Sequence, residues 1–189
     1  MKQIPIGVSN RHIHVTQEVL EKLFGQGHEL TAIKELTQPG EFAAEETVTI
    51  KTEKGEITKV RILGPVRKFT QVEISKTDAR KLGINVPIRS SGNIEGTPGI
   101  TIIGPNGTLQ IEQGVIIAER HIHMTTEDAK YFGVQDKQYV NVKINGERAL
   151  TFHQVLIRVK DTYALDMHID TDEANSGNIK TGDFGELIL

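Results

Sequence analysis

Short hydrophobic runs rich in Val, Ile and Thr dominate the pattern of apolar and polar positions along the chain. They are bounded by Gly, Pro, Asn and Lys-Gly clusters, which favour turns. Many short runs of this kind predict the strands of a β-sandwich or β-barrel. We expect strands at 4–15, 47–52, 57–63, 71–74, 101–103, 115–118, 139–144, 151–159 and 185–189.

Three short helices interrupt the strands. Apolar residues share one side of segment 16–24, and segments 77–82 and 125–132 end at Gly83 and Gly133. Their apolar sides are most simply packing faces. Segments 53–56 and 145–146 have the composition of hairpin turns. The sequence therefore predicts a mainly β protein with short α-helices.

One motif occurs twice, since Arg-His-Ile-His stands at 11–14 and again at 120–123. Each copy is followed by the pattern of a short capped helix that ends in Phe-Gly. Further on, residues 72–79 can be laid over residues 167–174 without a gap, which places Glu73 opposite His168. The chain therefore contains an internal duplication.

A duplication within 189 residues favours two half-domains, each a β-barrel repeat. We expect the first repeat at 1–90, a turn-rich connection at 91–114 and the second repeat at 115–189. The Ser-Gly-Asn sequence at 91–93 is either a plain turn or a set of backbone N–H groups that can bind an anion.

The paired histidines predict two related metal sites. Residues i and i+2 of a strand project from the same face, so each motif presents two imidazoles side by side. Three protein ligands with an open fourth position are typical of catalytic zinc. The alternative is that these are ordinary strand histidines that bind no metal. We expect the unmatched His28 and His153 to be structural. With the repeat-related third ligands, the predicted triads are His12, His14 and Glu73, and His121, His123 and His168.

Composition narrows the chemistry. The chain has no cysteine, which excludes disulfides, thiolate ligands and a cysteine nucleophile, so any metal must be held by His, Asp or Glu. A net charge of −3 gives no general attraction to nucleic acid. Because no apolar run reaches membrane-spanning length and the amino terminus lacks a signal-peptide pattern, we expect no membrane association and a cytoplasmic location.

Longer motifs surround the histidine pairs. They are Pro-Ile-Gly-Val-Ser-Asn-Arg-His-Ile-His at 5–14, Gly-Pro-Val-Arg at 64–67, Thr-Gln-Val-Glu-Ile-Ser at 70–75, Arg-His-Ile-His-Met at 120–124 and Met-His-Ile-Asp-Thr-Asp-Glu-Ala-Asn at 167–175. In order and approximate spacing they resemble the PduL-type phosphate acyltransferases, or phosphate propanoyltransferases. The resemblance covers nearly the whole chain.

The resemblance implies reversible exchange of a short acyl group, propanoyl or acetyl, between coenzyme A and inorganic phosphate. It also implies a duplicated β-barrel with short helices and a dinuclear zinc site formed by the same six residues. Imidazole and carboxylate ligands also suit cobalt, nickel, manganese or iron, so the identity of the metal stays open.

Other roles come from the resemblance alone. Arg67 resembles the phosphate-binding arginine of the family, and Ser91 is similar to a residue that assists it. Lys34 and Arg61 could instead be surface charges, and Leu63 a core residue. The positions that resemble the coenzyme A pocket are Ser9, Lys34, Arg61, Leu63 and Asn175.

Two other functions fit the same residues. A zinc hydrolase would cleave a thioester or amide with metal-bound water, and a binding module would use the metals as structural clips. Family members of propanediol degradation that enter bacterial microcompartments usually carry an extra segment before the motif that begins here at Pro5. We therefore expect cytoplasmic action, unless such a segment has been trimmed, and a homodimer is plausible.

Overall fold

The computed structural model describes residues 3–189, which form fifteen strands and four short helices. In chain order the strands are β1 (Gln3–Ser9), β2 (His12–His14), β3 (Ala32–Glu35), β4 (Phe42–Lys51), β5 (Glu56–Gly64), β6 (Gln71–Glu73), β7 (Ile88–Arg89), β8 (Ile100–Ile103), β9 (Thr108–Ile111), β10 (Val115–Ala118), β11 (His121–Met124), β12 (Tyr139–Ile144), β13 (Leu150–Val159), β14 (Asp166–Asp170) and β15 (Phe184–Ile188). The helices are α1 (Gln17–Phe24), α2 (Lys76–Leu82), α3 (Thr126–Phe132) and α4 (Thr171–Gly177).

The barrel unit comprises the described residues through Asn10, together with Thr37–Pro39 and Glu119–Leu189. Its six strands close into a barrel in the order β1-β14-β11-β13-β12-β15. Strand β1 completes the barrel by pairing parallel to β14 and antiparallel to β15. Alternate strand residues fill a core that includes Ile4, Ile6, Ile122, Val142, Val155, Ile157 and Met167.

The sheet unit comprises Arg11–Leu36 and Gly40–Ala118. Its strands form a curled half-barrel in the order β7-β10-β6-β2-β5-β4-β8-β9, with β3 paired to β4. The short strand β2 lies between β5, to which it is parallel, and β6, to which it is antiparallel. The core of this unit includes Ile13, Val15, Leu20, Leu23, Ile50, Ile62, Val72, Leu82 and Ile102.

Side-chain caps fix where the helices begin. In α2, α3 and α4 the N-cap side chain accepts from the N3 backbone N–H, and the N3 carboxylate accepts in return from the N-cap backbone. Helices α2 and α3 end at Gly83 and Gly133 in the left-handed conformation, as their sequence signals predicted. Helix α4 follows directly on β14, and two residues separate the end of β6 from the start of α2, so each capped helix starts close to a predicted third ligand.

The prediction of a mainly β protein with short helices is confirmed. The division of the chain differs from the predicted repeats at 1–90 and 115–189. Segment 4–15 is two strands rather than one, because β1 pairs with β14 and β15 whereas β2 pairs with β5 and β6. Strand β10 belongs to the sheet unit because it pairs with β6 and β7. The expected connection also holds the hairpin of β8 and β9.

A search of residues 3–189 finds no helix with the length and apolar character needed to cross a membrane.

Candidate metal centres

In the sheet unit, strand pairing assembles the first predicted triad. Antiparallel register sets His12 opposite Glu73 on the neighbouring strand and His14 opposite Gln71. Because residues two apart share a face, these four side chains form a block on one face of β2 and β6. The sequence-predicted ligands occupy three corners of that block.

The three predicted ligands lie close enough to share one ion. His12 Nε2 is 3.5 Å from Glu73 Oε2, and His14 Nε2 is 3.9 Å from Glu73 Oε1. One ligand atom from each residue lies within 4.8 Å of the others, and both imidazoles are buried. The geometry is therefore that of a group that could hold a metal.

The protonation states in this triad also suit a metal. Burial lowers the pKa of His14 to about 3, helped by the positive charges of His12 and Arg67 and opposed by Glu73 and the backbone of Leu63. Burial would raise the pKa of the Glu73 carboxyl, but charge and hydrogen bonding from His12 hold it below its usual range. A neutral imidazole and an ionised carboxylate are the forms that bind zinc.

In the barrel unit, β11 and β14 assemble the second triad in the same way. Antiparallel register sets His121 opposite His168 and His123 opposite Asp166. The ring of His168 lies 5.1 Å from that of His121 and 5.0 Å from that of His123, centroid to centroid. One nitrogen from each histidine lies within 4.8 Å of the others, so this group could also hold a metal.

Neighbouring acceptors select the nitrogens of two of these histidines. His121 Nδ1–H donates to the Glu119 carbonyl at 2.7 Å, and this leaves Nε2 for a metal because a carbonyl only accepts. His168 Nε2–H donates to Asp166 Oδ2 at 3.1 Å, which leaves Nδ1. Tyr163 packs against His123, with ring centroids 4.2 Å apart.

Both predicted phosphate residues lie in the sheet unit near the first triad. Arg67 donates from Nη2 to Glu41 Oε1 at 2.9 Å, and its charge contributes to the lowered pKa of His14. Ser91 Oγ–H donates to Glu73 Oε1 at 3.0 Å and accepts from Gln71 Nε2 at 2.8 Å. The hydroxyl proton of Ser91 is therefore directed to a predicted metal ligand. The remaining lone pair on Ser91 Oγ can only accept a hydrogen bond.

The five predicted coenzyme A positions are spread over both units. Lys34 is exposed on β3, and Arg61 Nη1 donates to the carbonyls of Ala44 and Glu45 at 2.9 and 2.8 Å. Arg61 stands beside His12 in the parallel pairing of β5 and β2, with Leu63 two residues further on. The other two positions, in the barrel unit, are the half-buried Ser9 at the end of β1 and the exposed Asn175 on α4.

Three residues of these centres were not identified from sequence: Gln71, Asp166 and Tyr163. The overlay that matched Glu73 with His168 also matches Gln71 with Asp166 when it is extended back by one residue. The repeat therefore contains a signal for these two positions, but the residue type differs between them. Tyr163 precedes β14, outside the matched segments, and no repeat signal points to it.

Comparison with known proteins gives a consistent result. The family model for phosphate propanoyltransferase matches residues 5–180. The phosphate propanoyltransferase of Thermotoga maritima is 61% identical over 186 residues, which cover 98% of this chain and 89% of that protein. Those of Lachnoclostridium phytofermentans and Salmonella typhimurium are 55% and 52% identical, covering 98% and 93% of this chain and 87% and 83% of their own. The resemblance inferred from the motifs is confirmed.

Proposed function

This chain belongs to the phosphate propanoyltransferase family, and from that premise we propose that it exchanges a propanoyl or acetyl group between coenzyme A and inorganic phosphate. The observation that carries the proposal is a guanidinium, hydrogen-bonded to Glu41, in the same unit as a triad that could hold a metal. Arg67 is oriented by Glu41, and its charge acts on His14 in the same unit. In this reaction a guanidinium can bind the phosphate, and a metal ion held by the triad can polarise the acyl carbonyl beside it.

Two zinc ions fit the donor sets, one in each triad. His12, His14 and Glu73 would hold one ion, and His121, His123 and His168 the other. A bound zinc ion supplies a Lewis acid for the thioester carbonyl or a soft partner for the departing sulfur. Cobalt, nickel, manganese and iron suit the same donors, so metal identity is settled by elemental analysis of the purified protein.

Arg67 binds and orients the phosphate in this proposal. A guanidinium donates two parallel hydrogen bonds to a phosphate, which an ammonium group does not reproduce. Glu41 takes one Nη2 hydrogen and leaves the other guanidinium donors to the substrate. A phosphate oxygen then attacks the carbonyl carbon, the carbon–sulfur bond breaks, and coenzyme A leaves as a thiolate that is protonated by solvent. This direct transfer balances without an acyl-enzyme intermediate.

Several finer assignments stay predictions. Ser91 would assist phosphate only indirectly, through the hydrogen bond it donates to Glu73. The coenzyme A roles of Ser9, Lys34, Arg61, Leu63 and Asn175 rest on the family resemblance. We also propose a cytoplasmic or microcompartment location and a homodimer.

The deciding experiment measures coenzyme A release from propanoyl-CoA with and without inorganic phosphate. We expect release that depends on phosphate and is matched mole for mole by acyl phosphate, trapped with hydroxylamine. Release at the same rate without phosphate would identify a metal-dependent thioester hydrolase instead. If no coenzyme A is released and the protein unfolds when a chelator removes the metal, the protein is a binding module that metal ions stabilise.

A ligand variant and its control test metal binding by zinc content, without a measurement of turnover. His121→Ala leaves two ligands of one triad, so the purified protein should lose about one equivalent of zinc. His153→Ala, which removes an exposed histidine from outside both triads, is the matched control and should keep the wild-type metal content.

A further inference from the structure

Each triad fills three corners of a four-residue block, and the fourth corner is occupied by a buried polar side chain. In the sheet unit this residue is Gln71, opposite His14; in the barrel unit it is Asp166, opposite His123. Gln71 is fully buried and Asp166 is 3% exposed. Both lie two residues before the third ligand on the same strand, so the duplication repeats the position but not the residue type.

Gln71 connects the third ligand of its block to the turn at Ser91. Its Nε2 donates to Glu73 Oε1 at 2.6 Å and to Ser91 Oγ at 2.8 Å. Its Oε1 accepts from the Gly92 backbone N–H at 2.8 Å. Glu73 Oε1 therefore receives two hydrogen bonds, one from Gln71 and one from Ser91. Such contacts fix the rotation of a carboxylate that would otherwise turn about its terminal bond.

Asp166 contacts the third ligand of the other block with the hydrogen bond reversed, because Asp166 accepts where Gln71 donates. Its Oδ2 accepts from His168 Nε2–H at 3.1 Å. An acceptor at this nitrogen fixes both the tautomer and the ring orientation of the imidazole, as carboxylates commonly do behind metal-bound histidines. The close approach of Gly7, where an added Cβ would lie 2.8 Å from Asp166 Oδ2, helps to confine the carboxylate.

The residue type at each fourth corner matches its third ligand. An ionised carboxylate ligand has no proton to donate, so Glu73 requires a donor, and the Gln71 amide supplies one. A neutral imidazole ligand retains one N–H, so His168 requires an acceptor, and Asp166 supplies one. A carboxylate at position 71 would instead face Glu73 with like charge. In each block, the residue at the fourth corner therefore complements the hydrogen-bonding needs of the third ligand.

We propose that Gln71 and Asp166 are the positioning residues of the two metal centres, each holding the third ligand of its block in the orientation that binds the ion. The inference rests on the proposed function, because it presupposes that both triads bind metal. Loss of such a partner typically weakens metal binding about 10- to 100-fold without removing a ligand. The expected effect is therefore on affinity, whereas the stoichiometry at saturating zinc stays at two.

The test is a measurement of both zinc dissociation constants by chelator competition in the full chain. Gln71→Met keeps the side-chain length and removes the amide, and Asp166→Ala removes the acceptor. Asp166→Asn keeps an acceptor oxygen without the charge. Glu73→Ala and His168→Ala, which delete a ligand, show which constant belongs to which triad.

Two control variants remove a comparable polar group from outside the blocks. Gln38 is a buried glutamine with hydrogen bonds of 3.0 and 3.2 Å to the Ala164 backbone, so Gln38→Met matches Gln71→Met. Asp128 is a half-buried carboxylate in the capping box of α3, so Asp128→Asn matches the change at Asp166. Both controls should lower thermal stability while the constant of the matched triad is unchanged.

The outcomes separate this inference from the proposed function. We expect Gln71→Met to weaken the Glu73 triad alone, Asp166→Ala to weaken the His168 triad alone, and Asp166→Asn to restore part of the loss. Wild-type constants in Gln71→Met and Asp166→Ala, with metal lost in the ligand deletions, would overturn the inference and leave the metal sites intact. An equal loss in Gln38→Met would also overturn it. A wild-type chain that binds no zinc would overturn both.

Discussion

The Arg11 guanidinium forms a bidentate ion pair with the buried carboxylate of Asp78, with two contacts of 2.9 Å, from Nε to Oδ2 and from Nη2 to Oδ1. Arg11 directly precedes His12, and Asp78 is the N3 residue of α2, five residues after Glu73. One ion pair therefore joins the start of the strand that carries two predicted metal ligands to the helix that follows the third. The pair therefore links the start of β2 to α2, in addition to the backbone pairing of β2 with β6.

The second repeat contains the same connection. Arg120, directly before His121, donates from Nη1 to Glu173 Oε1 at 2.8 Å, and Glu173 is the N3 residue of α4, five residues after His168. Arginine is kept at both positions although the carboxylate changes from Asp to Glu. The repeated unit is therefore larger than the triad and includes the ion pair that anchors it.

Replacement of Arg11 by Met should destabilise the protein by about 2–3 kcal/mol. The change keeps an apolar stem but leaves the Asp78 carboxylate, whose side chain is 4% exposed, without its cation. Urea unfolding of the metal-free protein measures the effect. Lys22→Met removes the exposed pair with Glu18, which solvent screens, and should cost far less. Equal costs for the two variants would show that the buried pair has no special role.

A methyl group at Gly7 should weaken zinc binding at the predicted metal site of the barrel unit. The Cβ of Gly7→Ala would lie 2.8 Å from Asp166 Oδ2 and 3.2 Å from His168 Cδ2, so one of the two side chains must move. We expect about 1–3 kcal/mol of destabilisation and a weaker zinc constant for this triad. Combining Gly7→Ala with Asp166→Ala relieves the closest contact. The combined loss of zinc affinity should therefore be smaller than the sum of the two single losses; a strictly additive loss would contradict the steric explanation.

Glu46 should contribute stability that depends on pH. Its burial raises the pKa of the carboxyl, but hydrogen bonds from His28 at 2.9 Å and from the Thr31 backbone at 3.1–3.2 Å outweigh burial and hold the pKa below the usual 4.5. Because the folded-state pKa is depressed, this stability is present above about pH 4.5 and is lost as the pH falls through the folded-state pKa. Glu46→Gln should cost about 1 kcal/mol at pH 7, and the difference from wild type should shrink in acid.

Urea unfolding midpoints between pH 7 and pH 3 test this expectation. Glu45→Gln, at the exposed neighbouring position on β4, is the matched control and should follow the wild-type curve. A constant difference between Glu46→Gln and wild type at every pH would mean that the carboxylate charge is not the source of the stability.

The structure brings the residues of both predicted triads together, because strand geometry converts sequence spacing into position. Residues two apart must share a face, and antiparallel pairing then sets a third ligand beside them, as it does for His12 and Glu73. The sequence does not mark Gln71 and Asp166 as equivalent, because an amide and a carboxylate are different residue types at the two related positions. Their common role depends on hydrogen-bond polarity, which is visible only once the partner of each is known.

The division of the chain could not be derived from local pattern. Segment 4–15 is apolar at nearly regular spacing, yet it breaks at Asn10 and Arg11. Strand β1 pairs with β14 and β15, more than 150 residues away in sequence, whereas β2 pairs with β5 and β6. These different partners separate the two strands. Strand propensity predicts a strand, but only the long-range pairing determines which sheet receives it.

Arg67→Lys should impair the use of phosphate without changing the metal content. Lysine keeps the positive charge near His14 but cannot donate two parallel hydrogen bonds to phosphate while also pairing with Glu41. We expect KM for phosphate to rise about 10- to 100-fold, which corresponds to the loss of one charge-assisted hydrogen bond. Initial rates at varied phosphate and fixed propanoyl-CoA give this value, and elemental analysis gives zinc per chain.

The matched control for this prediction is Arg80→Lys, at an exposed position on α2, which should keep the wild-type KM. The two substitutions change the same chemical group, so a selective effect at position 67 isolates the guanidinium geometry from net charge. Unchanged turnover of Arg67→Lys at low phosphate would remove Arg67 from the phosphate site. Loss of zinc in Arg67→Lys would instead mean that the guanidinium geometry of Arg67, rather than its charge, supports the triad.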